Sequence, residues 1–434
     1  MSNPTKIGVG LLGLGVVGSG VAQVLREAAE RIEAAIGRPV VLEGVLVRDR
    51  AKYRDHPVSS ALIATEAGEI LNNPNVDIVV EVIGGQQPAL DYILEAMTLG
   101  KHVATANKEV MARHGPDVLA HAREKGVHVR FEASVASGTP IIGPLLRDLT
   151  ANEFVAINGI INGTTNYILT KMAREGVDFA DALREAQELG YAEADPTNDI
   201  EGVDAAYKLA ILSTLAFQSR VRDTDVYKEG IGRLKARDFQ YANELGYNIK
   251  LLAMARKDDG YVQARVHPVF VPSDVPLAKV DGVLNAIEIE TDLAGRVLFH
   301  GQGAGSLPTA SALVADVIDI ARSVVGGVPP TIPTRLDSNL PVRPMLDLET
   351  KYYLRIDVVD RAGVLAQIAT VLGDLQISID SVIQQGTDEE AKTAELVITT
   401  HRAGEAAMQD AIRLLEELEV VREVGNVVRV EEWG

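Results

Sequence analysis

Residues 6 to 36 constrain the fold of this 434-residue chain more than any other stretch. Lys6 to Leu12 is an apolar strand, Gly13-Leu14-Gly15-Val16-Val17-Gly18 follows at once, and Gly20 to Ile36 reads as a helix. That is G-x-G-x-x-G set between a strand and a helix. In such a unit Gly13 permits the tight turn, Gly15 lets a pyrophosphate approach the backbone, and Gly18 lets the helix pack on the strand. The helix start then offers N–H groups to phosphate. The spacing predicts a Rossmann-type dinucleotide-binding domain with a parallel sheet.

The next 100 residues continue that reading. A second strand, Val40 to Val47, ends at Arg48-Asp49-Arg50. An acid at this strand end bonds the ribose hydroxyls in NAD binders, whereas two cations suit a 2′-phosphate. Arg48 and Arg50 therefore favour NADP, with NAD tolerated through Asp49. Val76 to Ile83 is a buried strand closing on Glu81-Val82-Ile83-Gly84-Gly85. Pro88 to Leu99 is a helix with proline at its start, where proline is tolerated. His102 to Thr105 is a short strand leading into Ala106-Asn107-Lys108. Strand carboxyl ends are where open α/β sheets bind ligands, so Thr105 and Lys108 are candidates for cofactor or substrate.

Length implies two or three domains. A hydrophobic content of 47% suffices for their cores, and a formal net charge of −19 argues against nucleic acid or an anionic membrane as partner. With no cysteine there are no disulfides, thiolate metal sites or thiol nucleophiles. The N-terminus lacks a signal-peptide pattern, and no apolar run reaches the ~18 residues of a spanning helix, so the cytoplasm is the default compartment.

Beyond residue 150, Phe154 to Ile161 reads as a strand, and Asn162-Gly163-Thr164-Thr165-Asn166-Tyr167 opens a helix to Glu175. The stretch Ala186 to Lys208 leaves one helix, crosses a turn rich in Asp and Pro, and enters another helix. Asp204 and Lys208 lie four apart on that second helix, one turn from each other on one face. A lysine held beside an aspartate can serve as a proton donor next to a group that orients a substrate. Residues 245 to 300 alternate like strands, giving an α+β domain of helices on a mixed or antiparallel sheet. A proline-rich linker at Val328–Pro333 and Pro341–Pro344 precedes a tail with a βαββαβ pattern, which is ferredoxin-like.

The pattern A-x3-G-Y-A-x2-D-P-x2-D-x2-G-x-D-x3-K is matched by Ala186, Gly190, Tyr191, Ala192, Asp195, Pro196, Asp199, Gly202, Asp204 and Lys208. It resembles the signature of homoserine dehydrogenases, and the resemblance extends over roughly residues 5 to 325. NGTTNYIL and the turn Gly301-Gln302-Gly303-Ala304-Gly305 are similar to family segments, with Gln302 in place of the usual proline. In the tail, D-R-A-G-V-L followed by I-S-I-D-S-V resembles an ACT domain, a small amino-acid-sensing module.

The resemblance implies NAD(P)H-dependent reduction of L-aspartate 4-semialdehyde to L-homoserine, in threonine, methionine and isoleucine biosynthesis, with threonine as a feedback ligand of the tail. Lys208 is the candidate acid–base group and Lys108 its rival, with Glu193 and Asp204 on the substrate's ammonium end and on orienting lysine. Gly13, Leu14, Gly15, Val16, Val17, Gly18, Arg48, Arg50, Thr105, Lys108 and Gly303 face the cofactor. Glu132, Val135, Ser137 and Thr139 are implied to hold a monovalent cation, sodium by the family pattern. Homologues often carry glycine where this chain has Ser137. A homodimer or homotetramer is implied as well.

The implied division is a nucleotide domain over 1–135 with a return helix at 306–325, a catalytic and dimerisation domain over 136–305, a linker over 326–349 and the ACT domain over 350–434. The turn at Asp360 to Leu365 puts Gly363 at a helix start, where N–H groups can hold a carboxylate. The tail reads as a detachable unit that buries its own face. Two other readings stay open from the residues: a different semialdehyde or amino-acid dehydrogenase, and a nucleotide-sensing regulator.

Overall fold

A computed structural model describes residues 5–53, 56–258, 260–330, 340–388 and 392–433. Part of the expected linker, 331–339, lies outside the described residues. In chain order the elements begin with β1 (Ile7–Leu12), α1 (Val16–Glu27), α2 (Ala29–Ile36), β2 (Val40–Leu46), β3 (Ile63–Ala64), α3 (Ala67–Leu71), β4 (Ile78–Glu81), α4 (Ala89–Thr98), β5 (His102–Thr105), α5 (Lys108–Lys125) and β6 (Val129–Arg130). The middle holds β7 (Phe154–Ile160), α6 (Gly163–Glu175), α7 (Phe179–Glu188), α8 (Thr197–Ile200), α9 (Val203–Phe217), β8 (Tyr227–Lys228), α10 (Ala236–Glu244), β9 (Tyr247–Asp258), β10 (Tyr261–Pro272), β11 (Leu284–Thr291), β12 (Gly295–Gln302) and α11 (Ser306–Val325). The tail holds β13 (Glu349–Val359), α12 (Val364–Asp374), β14 (Ile379–Asp388), β15 (Thr393–Thr400), β16 (Ala403–Gly404), α13 (Glu405–Glu416) and β17 (Val421–Val430).

Two compact units result. The first comprises Met1–Ile157, Tyr207–Asp225 and Asn285–Leu340; the second comprises Asn158–Ala206, Val226–Leu284 and Pro341–Gly434. In the first, six parallel strands run in the order β3-β2-β1-β4-β5-β6. Every residue of β1 is buried, as a central parallel strand covered on both faces requires. The strand order reverses at β1, so the crevice beyond β1 and β4 is where such a sheet takes a ligand. The long helix α11 returns to this core: Ala310, Leu313, Val317 and Ile320 join the cluster of Ile7, Val9 and Val80. The strand read over Val76–Ile83 is shorter, because the Val76 N–H turns back to the Asn73 carbonyl before it starts. The helix read over Gly20–Ile36 starts earlier, at Val16, and is interrupted at Ala28 (φ −105°, ψ 15°).

In the second unit β9 and β10 form an antiparallel hairpin paired from Tyr261↔Asp258 to Pro272↔Tyr247. The tail strands follow in the order β17-β13-β15-β14, the ferredoxin-like arrangement read from the sequence. One face of this sheet has its own core, in which Tyr352, Leu354, Ile356 and Val358 of β13 meet Val364, Ile368 and Leu372 of α12 and Met408 and Leu415 of α13. The alternate residues of β13 point the other way. Tyr353 donates to Asp238 of α10 through its hydroxyl (3.0 Å), and Arg355 donates to the same carboxylate (2.8 Å). β17 pairs in parallel with β10 at Val269↔Arg429 and Phe270↔Val430. The tail is therefore sewn into the unit that carries the Asp-rich turn, which differs from a self-contained appendage. Its sheet has two faces, and a ferredoxin-like module covers only one with its helices.

Candidate functional site

In the first unit the glycine turn between β1 and α1 is tightly packed. Gly13 has φ +106°, and a β-carbon there would come within 2.9 Å of the Val82 carbonyl. A β-carbon on Gly18 would lie 2.1 Å from the Gly13 carbonyl, so only glycine lets α1 start so close to the turn. Above Gly15 there is open space, and no side chain caps α1. The N–H groups of Val16 and Val17 at that helix start remain available to an anion. Leu14 is buried beneath the turn. Arg48 and Arg50 are exposed beyond β2, with Arg50 Nη2 on the Ser60 carbonyl at 2.9 Å. Gly303 follows β12, packed so closely on Asn285 that a side chain there would collide with its amide.

The carboxyl ends of β4 and β5 carry a second cluster. Glu81, fully buried, accepts from the Ile83 N–H (2.8 Å), the Asn107 amide (3.4 Å) and the Thr105 hydroxyl (2.5 Å). Burial pushes the Glu81 carboxyl up, against the pull of those donors. Asn107 caps α5 through Oδ1 on the Val110 N–H (3.0 Å), and Lys108 is the first residue of that helix, partly buried. Farther along α5, Arg113 donates to Glu109 (2.8 Å), to Asp223 (3.3 Å) and to the hydroxyl of Tyr207 (2.8 Å), whose neighbour is Lys208.

The loop after β6 has two consecutive residues in the left-handed region, Ala136 (φ 49°) and Ser137 (φ 23°). Ser137 thus holds a backbone shape that favours glycine, a strain that clusters at functional loops. Glu132 accepts from the N–H groups of Ile141 (2.6 Å), Ile142 (2.9 Å) and Gly143 (2.6 Å). Its carboxylate is thereby committed to holding the following turn. Val135 and Thr139 are buried, and the Thr139 hydroxyl donates to the Gln302 carbonyl (3.3 Å). Among the described residues no group of three His, Cys, Asp or Glu is placed to hold a metal, so a cation here would rely on backbone carbonyls.

In the second unit Asn162 joins two motifs that lie far apart in sequence. Its Nδ2 donates to Asp199 (2.7 Å) and to Asp204 (2.9 Å), while its Oδ1 caps α6 through the Thr165 N–H (2.9 Å). Asp204 is buried. Glu193 is exposed, with its carbonyl accepting from Gln187 (3.1 Å). Asp195 accepts from the Thr197 N–H (3.2 Å) and hydroxyl (2.6 Å), starting the short helix α8. α9 begins with Asp204 in its first turn and continues to Lys208, which is half-buried.

The chain matches three family models: the NAD-binding domain of homoserine dehydrogenase over residues 13–132, the homoserine dehydrogenase model over 140–318, and the ACT domain over 352–420. It is 44% identical over 430 residues to a homoserine dehydrogenase of Neisseria gonorrhoeae, covering 98% of each chain. The corresponding protein of Pseudomonas aeruginosa is 43% identical over 435 residues, again with 98% of each covered. The crystal structure of a homoserine dehydrogenase from Thiobacillus denitrificans superimposes with a TM-score of 0.92 at 43% identity, covering 99% of both chains. This chain belongs to the homoserine dehydrogenase family. A hyperthermophilic archaeal homoserine dehydrogenase solved in complex with NADPH is 28% identical, with a TM-score of 0.62 over 73% of this chain and 97% of that one.

Within this homoserine dehydrogenase fold the sequence reading overlooked the roles of Glu81 and Asn162. Asn162 was visible only as one of several possible helix caps, and nothing local says that its other atom bridges two aspartates. Glu81 ends an apolar strand of the form I-V-V-E, and a charged residue closing a buried parallel strand is the signal that could have marked it. No helix among the described residues is long and apolar enough to cross a membrane.

Proposed function

We propose that this chain catalyses the NAD(P)H-dependent reduction of L-aspartate 4-semialdehyde to L-homoserine, and the reverse oxidation. The observation that carries this reading is the bridge from Asn162 to Asp199 and Asp204, which draws the NGTT turn and the ten-position signature into one site. The nicotinamide, when bound, gives or takes the hydride. The residues supply the rest. Asp204, buried one turn before Lys208 on α9, orients that lysine. Lys208 protonates the alkoxide that develops at the aldehyde carbon. Lys108, delivered by the Asn107 cap, is the alternative donor or an anchor for cofactor and substrate. Glu193 takes the substrate ammonium. Turnover of homoserine with NADP+ and with NAD+ tests the reading; no reduced nicotinamide at 340 nm with either cofactor would reject it.

NADPH is the favoured cofactor in this proposal, because Arg48 and Arg50 stand exposed after β2 and two cations suit a 2′-phosphate. The loop Glu132 to Thr139 takes a monovalent cation, sodium, through carbonyls of Glu132, Val135, Ser137 and Thr139, its two left-handed residues turning the chain back on itself. We assign the molecule a homodimeric or homotetrameric state and a place in threonine, methionine and isoleucine synthesis. Threonine acts as feedback ligand at the start of α12, where Gly363 (φ 88°) leaves the first N–H groups without a side-chain cap. Inhibition from there requires different affinity for two states of the enzyme. Threonine at millimolar concentration should slow the wild type, and Gly363→Val, which forces a β-branched residue into a left-handed position, should abolish that inhibition. An uninhibited wild type would leave the tail with an assembly role.

A further inference from the structure

We propose that Glu81 is a positioning residue for the reaction: it clamps the turn that delivers Lys108, a role that rests on the reading of Lys108 given above. Glu81 is the last residue of β4 and is fully buried. Its carboxylate is the meeting point of donors from two loops. On Oε1 it takes the Ile83 N–H (2.8 Å), which holds the turn after β4, and the Asn107 amide (3.4 Å). On Oε2 it takes the Thr105 hydroxyl (2.5 Å) at the end of β5. The Thr105 oxygen in turn accepts the Asn107 N–H (3.0 Å). The Asn107 amide also donates to the Gly85 carbonyl (2.8 Å), and its Oδ1 caps α5 (3.0 Å). Asn107 is therefore held at its backbone N–H, its amide nitrogen and its oxygen, and Lys108 is the residue bonded to it. The direction in which Lys108 leaves the sheet is fixed by a chain of contacts that ends on Glu81.

The chemistry of the clamp needs an acceptor at both oxygens. A carboxylate accepts at each, whereas an amide accepts at only one. In Glu81→Gln the NH2 must face either Thr105, which already receives the Asn107 N–H, or the pair Ile83 N–H and Asn107 amide. Either way a buried donor loses its partner. The shape of the side chain is kept, so the effect falls on orientation and not on packing.

The test uses the full-length chain and two readouts. The first is the rate at which trinitrobenzenesulfonate labels Lys108, measured against exposed Lys6 by peptide mapping, in cofactor-free protein. The second is steady-state kinetics with NADPH. Glu81→Gln is expected to change the Lys108 to Lys6 labelling ratio by about threefold or more. It is also expected to lower kcat by up to ~100-fold, the scale of a small misplacement, with KM for the amino-acid substrate little altered. Asn107→Ser keeps the helix cap and removes only the amide links, so it should shift both readouts the same way and serves if the first variant does not fold. A lower melting temperature with unchanged labelling and unchanged kcat in either variant would make Glu81 purely structural and overturn the proposal. Lys108→Ala measured alongside separates the two ideas. An unchanged kcat there removes Lys108 from the reaction and the catalytic half of this proposal with it, while an altered labelling ratio would still establish the clamp.

Discussion

The two units bury carboxylates in opposite ways. In the first, Glu81 and Asp316 accept hydrogen bonds from neutral donors: Glu81 takes a hydroxyl, an amide and a backbone N–H, and Asp316 takes the Glu132 N–H at 2.9 Å, with Arg130 near it. Burial raises both, and nearby Glu132 raises Asp316 further. In the second, the buried acids meet guanidinium groups. Asp238 binds Arg355 at 2.8 Å, and Glu405 binds Arg429 through both Nε and Nη2. Burial pushes Glu405 up, but Arg429, with Gln409 and Tyr352, more than reverses this and its carboxyl lies below the usual range. Perturbed acids without a cationic partner tend to lie at working sites, whereas paired ones hold parts together. Here Glu81 of the first kind closes β4, whereas in the second kind Asp238 and Arg355 join the tail to α10 and Glu405 and Arg429 hold α13 to β17.

The largest expected effect comes from the stretch Ala186 to Lys208. Lys208→Ala should lower kcat by ~10²–10⁴, typical of losing a general acid, with cofactor affinity nearly intact. Arg355→Ala in the joint should leave kcat per folded molecule unchanged. A Lys208 variant with near wild-type kcat would move the proton to Lys108 or to water. A joint variant that lost kcat would erase the division between working and joining charges.

Much of this contrast could not be read from the sequence. The parallel sheet was legible because each strand is an apolar run and Gly13, Gly15 and Gly18 sit at the only spacing that suits the turn. The signature stretch was legible because its ten positions lie within 23 residues. The joint was not. Arg355 and Asp238 are 117 residues apart, and Asp238 alone reads as a helix-start acid, which it also is, accepting the Lys235 N–H at 2.8 Å. The clue lay in β13, where Tyr352, Tyr353, Leu354, Arg355 and Ile356 are buried without alternation. A strand buried on both faces needs a second partner layer, and a self-contained module offers only one.

The second effect in size should be on stability. Arg355→Ala leaves Asp238 buried without its cation, a change of about 3–5 kcal/mol. The double variant Asp238→Ala, Arg355→Ala should recover a large part of it, as a thermal-denaturation cycle would show. A chain ending near Asp347 removes Arg355, Tyr353 and Asn426 from Asp238 at once, so it should unfold at lower temperature than the full chain. Equal melting temperatures for the two lengths would restore the detachable tail.

Cofactor choice should respond more modestly. Replacing both Arg48 and Arg50 with Ala removes two charge-assisted contacts of about 1.5 kcal/mol or more each. KM for NADPH should rise about 10-fold or more, and KM for NADH far less. Equal changes in the two constants would take the 2′-phosphate away from these arginines.

The smallest effect sharpens the comparison most directly, because the two kinds of buried acid respond to pH with opposite sign. Asp316 has a raised folded pKa, so its contribution to stability is fully present below the unfolded value and is lost as pH rises through the folded one. Asp316→Asn cannot titrate and can still accept the Glu132 N–H. The melting temperature of that variant minus wild type should therefore grow as pH rises from 4 to 8. Glu405 has a lowered folded pKa, so its contribution is present above the unfolded value and is lost as pH falls through the folded one. Glu405→Gln should be most destabilised near pH 7 and should approach wild type on acidification. Two difference curves of opposite slope are the expected result of melting the Asp316 pair from pH 4 to 8 and the Glu405 pair from pH 7 down through and below the usual carboxylate range. Parallel curves would mean that Arg429 does for Glu405 no more than neutral donors do for Asp316, and the contrast between the units would be one of geometry alone.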